Sequence, residues 1–250
     1  LNPKIIGIIS ASYSGTTTMT MLLGGLNRWF PAGETHWMKD FSFDDFYCNV
    51  CGASCQKWTD ELRRELFCCD DWWKTISASF PDYDFLVSSD KDPEFFRKNR
   101  GADFFILQWK DPRGWYYSAR KHEGIALERA IDLWCGFYEH CLQFLEGKQN
   151  CVVVNWDEFS RDPFIHLNRI LAALGVPPVT SMPPRNSAHM IGGNLQARGI
   201  GQDESYTQYF DAGIREDRRW QESNSQDEND KIMQSARVQS LVSKLKLKQI

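Results

Sequence analysis

No apolar run in the 250 residues approaches the roughly 18 to 20 that a membrane-spanning helix needs, so no span is expected. Basic charge is not in excess either. Twenty-nine Lys and Arg stand against 33 Asp and Glu, a net charge of −4, and this leaves too little positive charge to neutralise a nucleic-acid backbone. DNA and RNA are therefore not expected partners. Neither an internal repeat nor a low-complexity segment is visible, which removes solenoids and fibrous arrays. The opening residues LNPKIIGIIS lack a charged leader and a small-residue cleavage site, and a soluble, cytoplasmic protein is the expectation. Eight cysteines are too few and too scattered for a small disulfide scaffold in a chain this long.

What is present is a composition 42% hydrophobic and 25% charged, enough for a sizeable core and incompatible with disorder. We read residues 1–250 as a single domain. Aromatic residues reach 14%, with 10 Trp, which suits either an aromatic core or a pocket walled with flat rings. Strands and helices alternate. KIIGIIS (4–10) has the continuous β-branched character of a strand buried on both faces. After the small-residue loop ASYSGTT, Met19, Leu22, Leu23 and Leu26 form one helical stripe, stopped by Gly24 and Gly25 or shortly beyond. Further strands are expected at 84–89, 102–109 and 151–156, and helices along Leu127–Leu145 and Phe164–Leu174. The order implies an α/β fold, a mostly parallel sheet with helices on both faces. Residues 33–80, rich in Cys, Trp and acids, read as an insertion over the sheet's edge, and 200–250 as a C-terminal extension ending in a basic helix.

Two segments suit anions. A tight turn from a strand into a helix N-terminus aims backbone N–H groups and a positive dipole end at one point, and Ser12 to Thr17 is such a turn. Gly15 permits close backbone approach, and Ser14, Thr16, Thr17 and Thr18 offer hydroxyls. The nucleoside-triphosphate loop needs GxxxxGK followed by Ser or Thr, and no Lys precedes Thr16. A hydroxyl-rich helix cap is the plainer reading of the same residues. The second segment, KDPRGWYYSAR, places Lys110, Arg113, Ser118 and Arg120 at the carboxyl end of a sheet strand, where α/β folds bind ligands. Its plainer reading is a solvated helix start capped by Asp111 with Pro112 in the first turn.

The loop SGTT after strand one, the KDPR segment with Ser118 beyond it, and the run NWDEFSRDPFIHLNRILAALGVP together resemble the sulfotransferases that use 3′-phosphoadenosine-5′-phosphosulfate (PAPS). GETHW followed by CNVCGASCQKW is similar to a bacterial branch with a GE pair and a Cys-rich stretch. The resemblance, over about residues 4–200, implies a P-loop-like three-layer fold. It implies that Ser14, Gly15, Thr16 and Thr17 hold the 5′-phosphosulfate and that Lys110 and Ser118 hold the 3′-phosphate. Lys110 stands where Arg is usual, which keeps the charge and loses the planar fork. GGNLQARGI looks like the late loop over the nucleotide and nominates Asn194, Arg198 and Gly199. Tyr13 occupies the loop position where relatives carry a basic side chain, so Lys91 in SSDKDPEF is the candidate for that charge.

Glu34 in AGETHW matches the catalytic Glu of tyrosylprotein-type sulfotransferases and is the favoured base, with His36 as the competing one. The resemblance implies sulfuryl transfer to a hydroxyl or amine of a small molecule, with PAP as product and no metal required. Acids (Glu34, Asp44, Asp45, Asp70, Asp71) beside Trp37, Trp72 and Trp73 suggest a guanidinium or amine natural product as acceptor; the alternative is that these Trp are core and these Asp cap helices. Two other functions stay open: a nucleotide kinase, which needs a loop Lys and a magnesium carboxylate, and a noncatalytic PAPS- or PAP-binding module. Cys48, Cys51 and Cys55, with Cys68 and Cys69 after them, begin with the two-residue gap of zinc sites. Their other spacings match no standard knuckle, and a disulfide or packing thiols are favoured. His122 and His189 read as ordinary histidines, His189 the more interesting for its place before GGN.

Overall fold

The computed structural model describes residues 2–40, 48, 50–99, 101–186, 188–194 and 213–250. Five strands, β1 (Lys4–Ile9), β2 (Trp29–Gly33), β3 (Phe85–Lys91), β4 (Phe104–Trp109) and β5 (Cys151–Asn155), form an all-parallel sheet in the order β2-β3-β1-β4-β5. Helices alternate with the strands, as the α/β reading requires. Backbone packing divides the chain into two compact units, Leu1–Ile9 with Thr16–Phe105 and Ser181–Gly213, and Ser10–Gly15 with Ile106–Thr180 and Ile214–Ile250.

In the first unit β3 pairs in parallel with β1 (Ile5 with Leu86) and with β2 (Trp29 with Phe85). Ile5, Ile6, Ile8 and Ile9 are all buried, which is why this strand reads as a continuous apolar run. α1 (Thr16–Leu23) buries every residue except Thr18 and stops where the Gly24 N–H donates to the Thr20 carbonyl. β2 has no counterpart in the expected strands. It is five residues long and carries Pro31, which an edge strand tolerates because one side needs no ladder donor. The segment 33–80 therefore follows directly on a sheet strand. It holds the short α2 (Trp37–Asp40), then α3 (Asp60–Cys68), capped by the Thr59 hydroxyl, and α4 (Trp72–Ser79), capped by the Asp71 carboxylate. α5 (Pro93–Lys98) opens with the Asp92 cap and Pro93 in its first turn.

In the second unit α6 (Pro112–Glu123) starts as expected, with the Asp111 side chain accepting from the Arg113 N–H and Pro112 in the first turn. α7 (Leu127–Phe144) turns Ala130, Trp134, Cys135, Tyr138 and Cys141 inward. β5 ends one residue short of expectation because the Asn155 side chain caps α8 (Trp156–Arg161), which α9 (Pro163–Ala173) follows. The C-terminal segment forms α10 (Arg219–Ser223), α11 (Gln226–Gln234), opened by a Ser225–Glu228 capping box, and α12 (Ala236–Leu247). The Ile250 N–H then donates to the Val153 carbonyl of β5. Among the described residues no helix is long and apolar enough to cross a membrane.

Candidate active site

The carboxyl ends of β2 and β3 carry a buried polar cluster. Gly33 closes β2 at φ +84°, and a Cβ there would lie 2.1 Å from the Ile191 carbonyl oxygen, so only glycine allows residues 190–191 to pass so close. Ile191 and β2 exchange hydrogen bonds: the Ile191 N–H donates to the Ala32 carbonyl at 3.0 Å and the Glu34 N–H to the Ile191 carbonyl at 2.8 Å. This fixes the backbone of Glu34. Its carboxylate is buried, with Oε1 2.7 Å from the Lys91 ammonium and Oε2 accepting from the Trp37 indole N–H at 2.8 Å. Lys91 is the last residue of β3 and sits at φ +62°, left-handed backbone that costs a non-glycine residue energy. The register of β3 against both β1 and β2 shifts at this same end.

Beside this pair lies a hub that the sequence does not single out. Asp90 is buried, and its Oδ1 accepts from the His36 N–H at 2.6 Å and contacts the His36 Nδ1 at 3.0 Å. Its Oδ2 accepts from the Thr35 hydroxyl at 2.8 Å and the Ser88 hydroxyl at 2.6 Å. Four donors fill the lone pairs of a carboxylate. Burial pulls the pKa of His36 down, but the hydrogen bond and charge of Asp90, with a further contribution from Glu34, outweigh it and raise the net value. The same unit holds Thr16 and Thr17, both buried in the first turn of α1. The Thr17 hydroxyl accepts from the Asn194 N–H at 3.0 Å. Residues 191–194 thus touch Glu34 at one end and Thr17 at the other. Arg198 and Gly199 lie outside the described residues, as do Asp44 and Asp45.

In the second unit the loop Ser12–Gly15 is stitched to β4 and α6. The Trp115 indole donates to the Ser12 carbonyl at 2.8 Å, and the Gln108 amide donates to the Ser14 carbonyl. The Ser14 hydroxyl, fully buried, meets the Tyr138 hydroxyl at 3.3 Å, so it supports the loop. Gly15 has φ +84°, and a Cβ there would lie 2.3 Å from the Trp156 ring, which doubly requires glycine. Tyr13, at φ +65°, stacks on His122 and donates its hydroxyl to Glu123 at 2.7 Å; burial, then Glu123, pushes its pKa up to about 12. It brings no positive charge to the loop.

Loop and KDPR segment therefore meet at the same end of β4. Lys110 directly follows that strand and is 3% exposed. Its ammonium lies 3.4 Å from Asp217, and its Cε lies 3.1 Å from where a Cβ on Gly114 would stand. The Ser118 hydroxyl bonds back to the Gly114 carbonyl at 3.2 Å, so Lys110 runs along the turn that precedes Ser118. Arg113 is engaged by Asp111 and Arg120 by Glu228. Burial raises the pKa of Asp217, but Arg219 and Lys110 outweigh it and hold it below the ordinary carboxylate range. Asp217 lies in the C-terminal extension, where no sequence motif marks it as a partner of Lys110.

Trp72 and Trp73 do not form an acceptor wall. Both are buried, against Phe95 and Phe96, and Asp71 caps α4. All eight cysteines are free, so the disulfide reading of Cys48, Cys51 and Cys55 does not hold; their sulfurs converge instead on His189.

No protein-family model and no curated protein matches this sequence. Solved structures do. The sulfotransferase domain from the curacin biosynthetic pathway superposes with a TM-score of 0.62 at 17% identity, covering 98% of this chain and 98% of its own. The sulfotransferase domain from the Synechococcus PCC 7002 olefin synthase gives 0.55 at 16% identity, covering 98% and 94%. The fold implied by the SGTT loop and the KDPR segment is the one observed, and this chain has the fold of the sulfotransferases.

Proposed function

We propose that this chain transfers the sulfuryl group of PAPS to a hydroxyl or amine of a small-molecule acceptor and leaves PAP. The observation that carries the reading is the pairing of buried Glu34 with half-buried Lys91, 2.7 Å apart at the carboxyl ends of adjacent parallel strands. A carboxylate and an ammonium there supply the two things such a transfer needs from a protein: a place for the acceptor's proton and a positive charge for the leaving oxygen.

Within each unit the residues suit a part of PAPS. Lys110 is a buried cation whose stem passes Gly114, the residue whose carbonyl accepts from the Ser118 hydroxyl, and an ammonium with a hydroxyl is a donor set suited to a phosphate dianion. The loop backbone at Ser14–Gly15, with Thr16 and Thr17 at the start of α1, suits the 5′-phosphosulfate. Asn194, tied through its N–H to Thr17, stands in the segment assigned to nucleotide cover. Bound PAPS supplies an activated sulfuryl group, which leaves its bridging oxygen for the acceptor oxygen or nitrogen. Glu34 takes the acceptor's proton as that bond forms. Once protonated it no longer neutralises Lys91, whose charge then meets the negative charge growing on the leaving phosphate. The Trp37 indole and the Ile191 carbonyl hold Glu34 in place throughout. His36 is the less available base, because its ring is bound to Asp90 and, with its pKa raised, stays protonated to higher pH.

A kinase is disfavoured by two features. Thr16 has no preceding Lys, and Asp90, the buried acid at the end of β3, has both oxygens filled by protein donors and none free for magnesium. For the acceptor, the feature that still favours a cation is Trp37, 37% exposed and bonded to the Glu34 carboxylate, an aromatic face next to a negative charge.

Melting temperatures with PAPS, PAP and ATP, followed by a sulfate-transfer assay over neutral and cationic acceptors, test the reading. PAPS and PAP should raise the melting temperature, ATP should not, and PAPS should be turned over. Preference for ATP indicates a kinase, and PAP binding without transfer to any acceptor indicates a binding module. Equal use of neutral and cationic acceptors removes the cationic preference alone.

A further inference from the structure

We propose that Cys48, Cys51, Cys55 and His189 bind one structural zinc ion, which pins the Cys-rich loop to the segment that positions Glu34 and Thr17. The four donor atoms lie within 4.8 Å of one another without a metal to draw them in. The His189 Nδ1 is 3.4 Å from the Cys51 sulfur and 3.3 Å from the Cys55 sulfur. Zinc at about 2.3 Å from sulfur and 2.0 to 2.1 Å from imidazole nitrogen places ligand atoms about 3.5 to 3.8 Å apart in a tetrahedron, so little movement completes the site.

Local geometry supports it further. The turn from Cys48 to Gly52 is closed by the Gly52 N–H donating to the Cys48 carbonyl at 2.9 Å. Backbone N–H groups of Val50 and Trp58 point at the Cys48 and Cys55 sulfurs, both at 3.4 Å, an arrangement that stabilises thiolate charge and orients ligands. His189 sits at φ +62°, an unfavourable backbone conformation, and its carbonyl accepts from the Trp58 indole at 2.5 Å, which ties its backbone to the residue three after Cys55. Three thiolates and one imidazole in a tetrahedral set select zinc among the common divalent ions. Cys48 and Cys55 are buried, as a closed structural site requires.

The site belongs to the architecture around the proposed chemistry and is not part of it. Ile191, two residues after His189, holds the Glu34 backbone, and Asn194 holds Thr17. A zinc ion at His189 anchors the start of this segment. The expectation of metal-free transfer concerns the reaction and is unaffected.

Metal analysis of the full chain, purified without chelator, should find one zinc per chain, and cobalt(II) exchange should give the visible spectrum of a tetrahedral thiolate site. Cys51→Ser and His189→Ala should lower zinc affinity by more than the roughly 10- to 100-fold that outer-shell changes cost. His189→Cys should keep the metal, and Cys151→Ser should leave its content unchanged. Stripping zinc from the wild-type chain should lower its melting temperature, and adding zinc back should restore it. If the ligand variants do not fold, the cobalt titration of the wild-type chain decides alone. A folded chain without zinc and without a tetrahedral cobalt spectrum overturns the proposal, and so does a disulfide among Cys48, Cys51 and Cys55. Metal content is read whether or not the chain transfers sulfate, so failure here and failure of the sulfotransfer reading are separate results.

Discussion

The Glu34 carboxylate and the Lys91 ammonium lie 2.7 Å apart, one just past the end of β2 and the other at the end of β3, the strand beside it. Neighbouring parallel strands bring their carboxyl ends together whatever their separation in sequence, and this is how an α/β sheet assembles a site from distant segments. Glu34 is buried and Lys91 half-buried, and the ammonium is the cation in contact with the Glu34 carboxylate. Removing one leaves the other to be solvated or neutralised in a place built for neither.

Glu34→Gln keeps the shape and the indole contact of Trp37 and removes the base. We expect turnover to fall by about 10²- to 10⁴-fold with PAP affinity nearly unchanged. Glu34→Ala should likewise abolish turnover. The measurements are kcat in a sulfate-transfer assay and PAP binding by calorimetry. Turnover close to wild type in either variant takes Glu34 out of the mechanism.

His36 offers a direct comparison. Its net pKa is raised, so the protonated ring contributes stability that is complete below about 6.5, the ordinary His value. That contribution is lost as pH rises through the folded value. Urea midpoints should therefore decline over that window, and Asp90→Asn should flatten the decline. His36→Asn should retain turnover within a few-fold. A loss as deep as that of Glu34→Gln transfers the role of base to His36.

Lys110 and Asp217 make the third test. The carboxylate at 3.4 Å occupies the cation assigned to the 3′-phosphate, so nucleotide and Asp217 compete for one charge. Lys110→Ala should weaken PAP binding by at least about tenfold, in keeping with about 1.5–3 kcal/mol for a hydrogen bond to a charged group. Asp217→Asn should tighten it. Calorimetric titration of both variants with PAP is the measurement, and weaker binding in Asp217→Asn means that this carboxylate positions Lys110 instead of competing for it.

The legible parts of this molecule are the local ones. β1, the SGTT loop and α1 read as one unit because continuous burial, small residues and a 3.6-residue stripe follow each other within twenty or so positions. Lys110 and Ser118 were readable for the same reason, as a strand end running into a capped helix. β2 was not, because five residues with a proline carry no alternation and owe their conformation to β3. Asp90, Asp217 and the approach of His189 to Cys51 and Cys55 depend on tertiary packing over long separations, which no local pattern encodes. Trp72 and Trp73 misled for a related reason: an aromatic residue beside an acid looks alike in sequence whether it faces a ligand or the core.

Asp157 carries the last prediction. It sits in the first turn of α8, its Oδ2 accepting from the Asp111 N–H at 2.7 Å, and burial pushes its pKa from 3.8 up to about 6. A carboxyl with a raised folded value binds its proton more tightly in the folded state than in the unfolded one. The folded chain then holds more protons than the unfolded chain between about pH 4 and 6, and stability declines as pH climbs through that interval. A shift of this size corresponds to something on the order of 3 kcal/mol, fully expressed above pH 6. Asp157→Asn keeps an oxygen for the Asp111 N–H and never ionises. Denaturant midpoints at pH 4.5 and 7.5 should therefore draw closer together in the variant than in the wild type. The variant should also be the more stable of the two at pH 7.5. Equal pH dependence in both proteins means that Asp157 ionises as readily folded as unfolded, and that the Asp111 N–H and the Lys110 charge offset its burial in full.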